Sequence, residues 1–215
     1  MDTTALGENG SASRRRFLQA VGLGGALSAL PFVARSAGAQ SGSTTTAPPQ
    51  RPTADDQALL GYAQSMELSA AAAYTAVVDR AKELALPDDV YSVVQVFRDH
   101  HESYAQSLSG LLGKTAPGTP NATMDDEFGA VFTTGSLDEV LIAGIALEDA
   151  TVATNLRLLG ELQGTDGAAL VASILVTEAR HSTVLSALSG NDDLMPKFGL
   201  EPLDAALSPD DYPVE

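Results

Sequence analysis

The sequence predicts an all-α protein: a bundle of four long helices with one long crossover between the second and the third. Three observations carry that prediction. Hydrophobic residues make up 44% of the chain but aromatic ones only 5%, with no Trp, and a core of Ala, Leu and Val suits packed helices better than a sandwich or a barrel. Apolar residues recur at helical spacing in four stretches, each roughly 25 residues long. The links between these stretches run short, long, short, and only the long one can travel the ~38 Å of a 25-residue helix.

The first long helix opens at Thr53, where Thr53-Ala54-Asp55-Asp56 reads as an N-cap followed by acidic first-turn residues. Its periodicity runs to about Ala85, ahead of the break at Leu86-Pro87. The second helix starts near Asp88 and closes at Gly113, a residue type suited to the position after a helix. Residues 114–135, with three Gly and two Pro, form the crossover, with room for a short helix over residues 125–132. Ser136-Leu137-Asp138-Glu139 is a capping box that opens the third helix, which runs to about Leu162. Gln163-Gly164-Thr165 turns the chain into the fourth, from about Asp166 to Ser189, ended by Gly190. The first and third links are then two or three residues each, which makes helices one and two antiparallel neighbours, and likewise three and four.

Ahead of the bundle, Ser13-Arg14-Arg15-Arg16-Phe17-Leu18-Gln19 sets paired arginines before a bulky apolar pair. A Gly/Ala/Leu-rich run follows over residues 20–34, and Ala37-Gly38-Ala39 offers small residues for signal-peptidase cleavage before Gln40. Residues 1–39 thus resemble a twin-arginine signal peptide. The resemblance implies a passage through the twin-arginine translocase, which moves folded proteins, and a mature protein in the periplasm, the cell envelope or the medium. A permanent anchor is the alternative, but the run is shorter than the ~20 residues of a spanning helix and its glycines weaken it. No stable membrane span is expected after cleavage. Residues 40–52, rich in Ser, Thr, Pro and Gly, read as a flexible linker. The bundle takes residues 53–190, and residues 191–215 read as an acidic extension draped over it.

The formal charge is −16. Four of the twelve Lys and Arg (Arg14, Arg15, Arg16, Arg35) and two of the 28 Asp and Glu (Asp2, Glu8) precede Gln40, so the rest carries −18. Such a surface repels phosphate backbones and disfavours nucleic acid as a partner. Metal cations suit it better, although an acidic surface alone is commonly just a solvated one. There is no Cys, which excludes disulfides, thiolate metal sites and iron–sulfur clusters. Any metal site must be built from His and carboxylates.

Each helical seam is largely apolar, yet each carries an ionisable residue near its midpoint: Glu67, His101, Glu148 and Glu178, with His181 one turn beyond Glu178. Antiparallel packing brings the midpoints to one level, so these groups should meet inside the core. Unpaired carboxylates there cost several kcal/mol each, and either protons or a cation must sit among them. Carboxylate and imidazole donors without thiolate suit iron or manganese.

In these residues the chain resembles the ferritin-like di-metal carboxylate proteins, in particular exported bacterial ferritin-like domains, over roughly residues 53–189. In that family helices one and three each give a Glu, and helices two and four each give Glu-x-x-His. Glu67, Glu148 and Glu178-Ala179-Arg180-His181 match. Helix two departs, because His101-Glu102-Ser103-Tyr104 puts His101 at the Glu position and Tyr104 at the His position. The resemblance implies iron or manganese, as a pair or as a single ion, held by Glu67, His101, Glu148, Glu178 and His181, in an oxidase or a protective metal-handling role. The alternative is a structural or interaction bundle of the cell envelope with a degenerate, metal-free site. On that alternative the five residues are a polar core satisfied among themselves. Tyr104 and Tyr74 read as core, His100 falls off the seam, and Asp79, Glu83, Glu102, Asp149 and Glu161 read as solvated faces.

Overall fold

A computed structural model describes residues 47–190 and 205–214. The chain divides into two units, Met1–Ala47 and Pro48–Glu215, and the architecture below is that of the second. The signal peptide read in residues 1–39, the first part of the linker and residues 191–204 lie outside the described residues.

Among the described residues there are five α-helices and no strand: α1 (Ala54–Asp79), α2 (Asp88–Leu112), α3 (Ala122–Thr134), α4 (Leu137–Glu161) and α5 (Thr165–Leu188), with a 3-10 turn at Gly113–Thr115. None is long and apolar enough to cross a membrane. The predicted starts are found with their chemistry in place. Thr53 caps α1 in a capping box with Asp56, and Ser136 caps α4 in one with Glu139. In each, a side-chain oxygen takes up a backbone N–H that has no helical partner. Gly113 and Gly190 follow α2 and α5 with φ of 60° and 84°, a backbone region in which a Cβ is strained.

The first link differs from the expectation. Helix α1 stops at Asp79 rather than near Ala85, and the link runs over residues 80–87. Its hydrogen bonds stay helix-like without making a helix: Leu84 N–H donates to the Arg80 carbonyl at 2.9 Å, and Leu86 N–H reaches back five residues to Ala81 at 3.0 Å. Leu84 is buried, so the apolar spacing continues through a turn. Arg80 ends the helix with a tertiary role, its guanidinium donating to the carbonyls of Phe132 and Gly135, both at 2.8 Å.

The long helices pack as the pairs α1/α2 and α4/α5, with lighter contact of α2 on α5 and of α1 on α4. The crossover lies along α1. It begins at the level of Gln64, whose side-chain Oε1 accepts the Gly118 N–H at 3.0 Å. It passes Ser65 and Ser69, which receive the Asn121 N–H, and ends at Arg80. Helix α3 is longer than the residues 125–132 expected, because Asn121 caps it by accepting the Met124 N–H at 3.0 Å.

Both flanking segments dock on the bundle where they are described. The end of the linker is held by the start of α5, where Thr165 and Asp166 N–H donate to the carbonyls of Pro49 and Gln50, both at 3.0 Å. In the C-terminal stretch Leu207 is buried and its N–H donates to Thr154 Oγ1 at 2.8 Å, while the Asn121 amide donates to the Tyr212 carbonyl at 2.9 Å. Residues 205–214 thus lie against the bundle.

Candidate metal centre

The five residues singled out by the seams, Glu67 on α1, His101 on α2, Glu148 on α4, and Glu178 and His181 on α5, are all at least 98% buried. His101 Nδ1 lies 2.8 Å from Glu67 Oε2, and its Nε2 lies 3.3 Å from Glu148 Oε1. His101 therefore bridges two carboxylates. His181 Nδ1 is also 3.3 Å from Glu148 Oε1, but it makes no hydrogen bond there, since the oxygen lies off the direction in which a ring nitrogen donates. Candidate ligand atoms of His101, Glu148 and His181 fall within 4.8 Å of one another, and so do those of Glu67, His101 and Glu178. His101 belongs to both groups.

Neighbours outside the predicted ligand set hold the cluster in place. Tyr74 is the first, its phenol donating to Glu148 Oε1 in a short hydrogen bond. Asn155, seven residues beyond Glu148 on the same seam, donates from Nδ2 to Glu178 Oε2 at 2.8 Å. That heptad spacing was the available signal for it, a polar amide on an otherwise apolar stripe. His100 is the third, with Nδ1 2.9 Å from His181 Nε2. Phe97 lies against the His181 ring at a centroid distance of 4.0 Å, and Tyr74 stacks on His101 at 5.5 Å. Tyr104, at the family's His position, turns away: its hydroxyl is 2.8 Å from Thr177 Oγ1 on α5. Asp149, read as solvated, is only partly exposed and accepts from Ser182.

Electrostatics follow from burial set against this pairing. Burial opposes a charge on His101, but the Glu148 and Glu67 carboxylates outweigh it and raise its pKa well above the ordinary histidine range. Burial likewise pushes Glu148 up, and the charges of His181 and His101 reverse it, holding the carboxyl far below its usual range. Glu178 goes the other way: burial, then the charges of Glu67 and Glu148, raise it well above its ordinary value. His100 is lowered to about 4 by burial and by the two neighbouring histidines.

Three buried ligand-type atoms in the cluster have no hydrogen-bond partner: Glu148 Oε2, Glu178 Oε1 and His181 Nδ1. Unpaired buried polar atoms are rare in folded proteins, and carboxylate and imidazole donors suit a transition metal; Glu148 and His181 belong to one of the two groups of candidate ligands and Glu178 to the other. The residues fit such an ion. No curated protein and no solved structure matches the chain. The family model of the ferritin-like domain matches residues 55–191, the stretch that supplies all four long helices and every residue of the cluster, and the chain belongs to that family.

Proposed function

We propose that the bundle binds a divalent transition metal, iron or manganese, through Glu67, His101, Glu148, Glu178 and His181, and that it serves in handling that cation. The three unpartnered donors Glu148 Oε2, Glu178 Oε1 and His181 Nδ1 are the observation that carries this reading. Iron or manganese held there would supply redox and Lewis-acid chemistry. The chain's own part is orientation: Tyr74 and His101 take one oxygen of Glu148 and leave the other free, and Asn155 does the same for Glu178. Elemental analysis of protein purified from its native compartment tests the reading, with stoichiometric iron or manganese expected. Glu178→Ala should abolish uptake, whereas Glu102→Ala, at an exposed position on α2, should leave it intact. Bound metal should also stabilise the wild type by RT ln(1 + [L]/Kd), about 2.7 kcal/mol at a hundredfold excess over Kd, and Glu178→Ala should lose that increment.

His101 favours a second reading. Both its nitrogens already face carboxylates, so protons rather than metal would neutralise part of the core, as in a structural bundle of the cell envelope. Wild-type protein that takes up neither metal and gains no stability from them would decide for it. We also infer export by the twin-arginine route, on the strength of Arg14-Arg15 and Ala37-Gly38-Ala39. Replacing both arginines by Lys should trap precursor inside the cell, and undiminished export of that variant would remove the assignment.

A further inference from the structure

We propose that His100 is a positioning residue for His181: its Nδ1 accepts the Nε2 proton of His181 and so fixes the tautomer that turns the Nδ1 lone pair of His181 toward the centre. The consequence for metal affinity rests on the metal-binding reading above; the tautomer itself does not.

The geometry of the two rings carries the argument. Their planes are 4° apart and their centroids 5.2 Å apart, yet the facing nitrogens are only 2.9 Å apart. Parallel rings with nitrogens that close and centroids that far apart lie edge to edge in one plane, which is the arrangement of an in-line N–H···N hydrogen bond rather than of a stack. His181 has one proton to place when neutral. On Nδ1 that proton would be buried without a hydrogen-bond partner, because Glu148 Oε1 is near but out of line. On Nε2 it meets His100 Nδ1. A buried N–H without an acceptor is costly, so the proton belongs on Nε2. Phe97, against the face of His181, restrains the tilt of the ring, and His100 restrains its rotation within the plane. Together they aim one nitrogen inward and leave it free. A partner of this kind on the far nitrogen of a ligating histidine is a common way to set tautomer and orientation.

The chain has three histidines, so a long-range proton–nitrogen NMR spectrum of metal-free, histidine-labelled protein resolves each ring at about pH 8, above the ordinary histidine range. Wild type should show His181 protonated on Nε2. His100→Leu removes the acceptor and should shift His181 toward the Nδ1–H form. His100→Asn, whose Oδ1 stands near the place of the histidine Nδ1, should keep the wild-type tautomer. In cobalt(II) titrations His100→Leu should weaken binding about 10- to 100-fold, and His100→Asn should recover most of the loss. A wild-type His181 protonated on Nδ1, a tautomer unchanged in His100→Leu, or a shift in folded His100→Asn as large as that in His100→Leu would overturn the assignment. Protein with the Nε2–H tautomer that takes up no cobalt would instead sink the metal reading and leave the positioning role standing.

Discussion

Three side chains converge on one oxygen of Glu148: the Tyr74 hydroxyl donates to it, and His101 Nε2 and His181 Nδ1 each lie 3.3 Å away. The Tyr74 phenol is kept protonated by its burial and by the negative charge beside it, which raise its pKa well above the ordinary value, so it remains a donor. Tyr74→Phe keeps the ring that packs on His101 and Phe97 and removes only the hydroxyl. The expected cost to the metal-free protein is about 1.5–3 kcal/mol, the worth of a hydrogen bond to a charged group, read as a lower urea midpoint at unchanged slope. An unaltered midpoint would mean that His101 alone satisfies that oxygen. The five seam residues of the centre were legible in the sequence because each interrupts an apolar stripe, but their partners were not equally so. His100 is adjacent to a seam residue and points across the α2/α5 contact, and helical periodicity does not say that an off-seam side chain meets the neighbouring helix. Tyr104, read as core, is only half-buried, because its hydroxyl reaches Thr177 on the neighbouring helix.

Helix ends show the same division between local and tertiary causes. Asp56 completes the capping box of α1 through the Thr53 N–H at 2.8 Å. It also accepts the Gln163 and Gly164 N–H groups of the α4–α5 turn, at 2.8 and 2.9 Å. Gly164 permits this approach, because a Cβ there would sit 2.8 Å from the Arg51 carbonyl oxygen and 3.0 Å from the Asp56 carboxylate. Burial opposes the charge on Asp56, and these N–H groups outweigh it, holding the carboxyl below its ordinary value. A group whose folded pKa is depressed stabilises the fold above its unfolded pKa, about 3.9 for Asp, and loses that contribution as pH falls through the folded value. Asp56→Ala should therefore melt below wild type at neutral pH, by at least the ~1 kcal/mol of a lost cap. The gap should close as pH falls below about 4, and a gap that stays constant down to pH ~3 would show that the charge contributes nothing. The N-cap at Thr53 and the capping box at Ser136 could be read from sequence because cap and first turn are adjacent in the chain, and the structure adds that Asp56 closes a box at Thr53 as well. The end of α1 could not, because Arg80 is held by Phe132 and Gly135, more than fifty residues away.

Over the whole molecule the sign of the charge imbalance decides how salt acts. Of the residues from Gln40 onward, 26 are acidic and eight are basic. The attractive side consists of short-range pairs such as Arg80–Glu83, Arg98–Asp99 and Arg157–Glu161. Each has at least one exposed partner, and such surface pairs contribute little. The repulsive side is the mutual proximity of the remaining carboxylates, which unfolding relieves by moving them apart. Raising NaCl from about 0.01 M to about 0.1 M shortens the screening length from ~30 Å to ~10 Å, which spans the distances over which those carboxylates act and leaves contact pairs largely intact. Stability of the metal-free protein should therefore rise with salt. Each kcal/mol regained should appear as about 2–4 °C in the melting midpoint for a chain of this size. NaCl is the salt of choice because sulfate also strengthens burial by exclusion from the surface, and the same melts at fixed salt with added sucrose calibrate that second effect. A midpoint that falls with NaCl would mean that the arginine pairs outweigh the general repulsion, and that the acidic surface is already neutralised by bound cations or by its own arrangement.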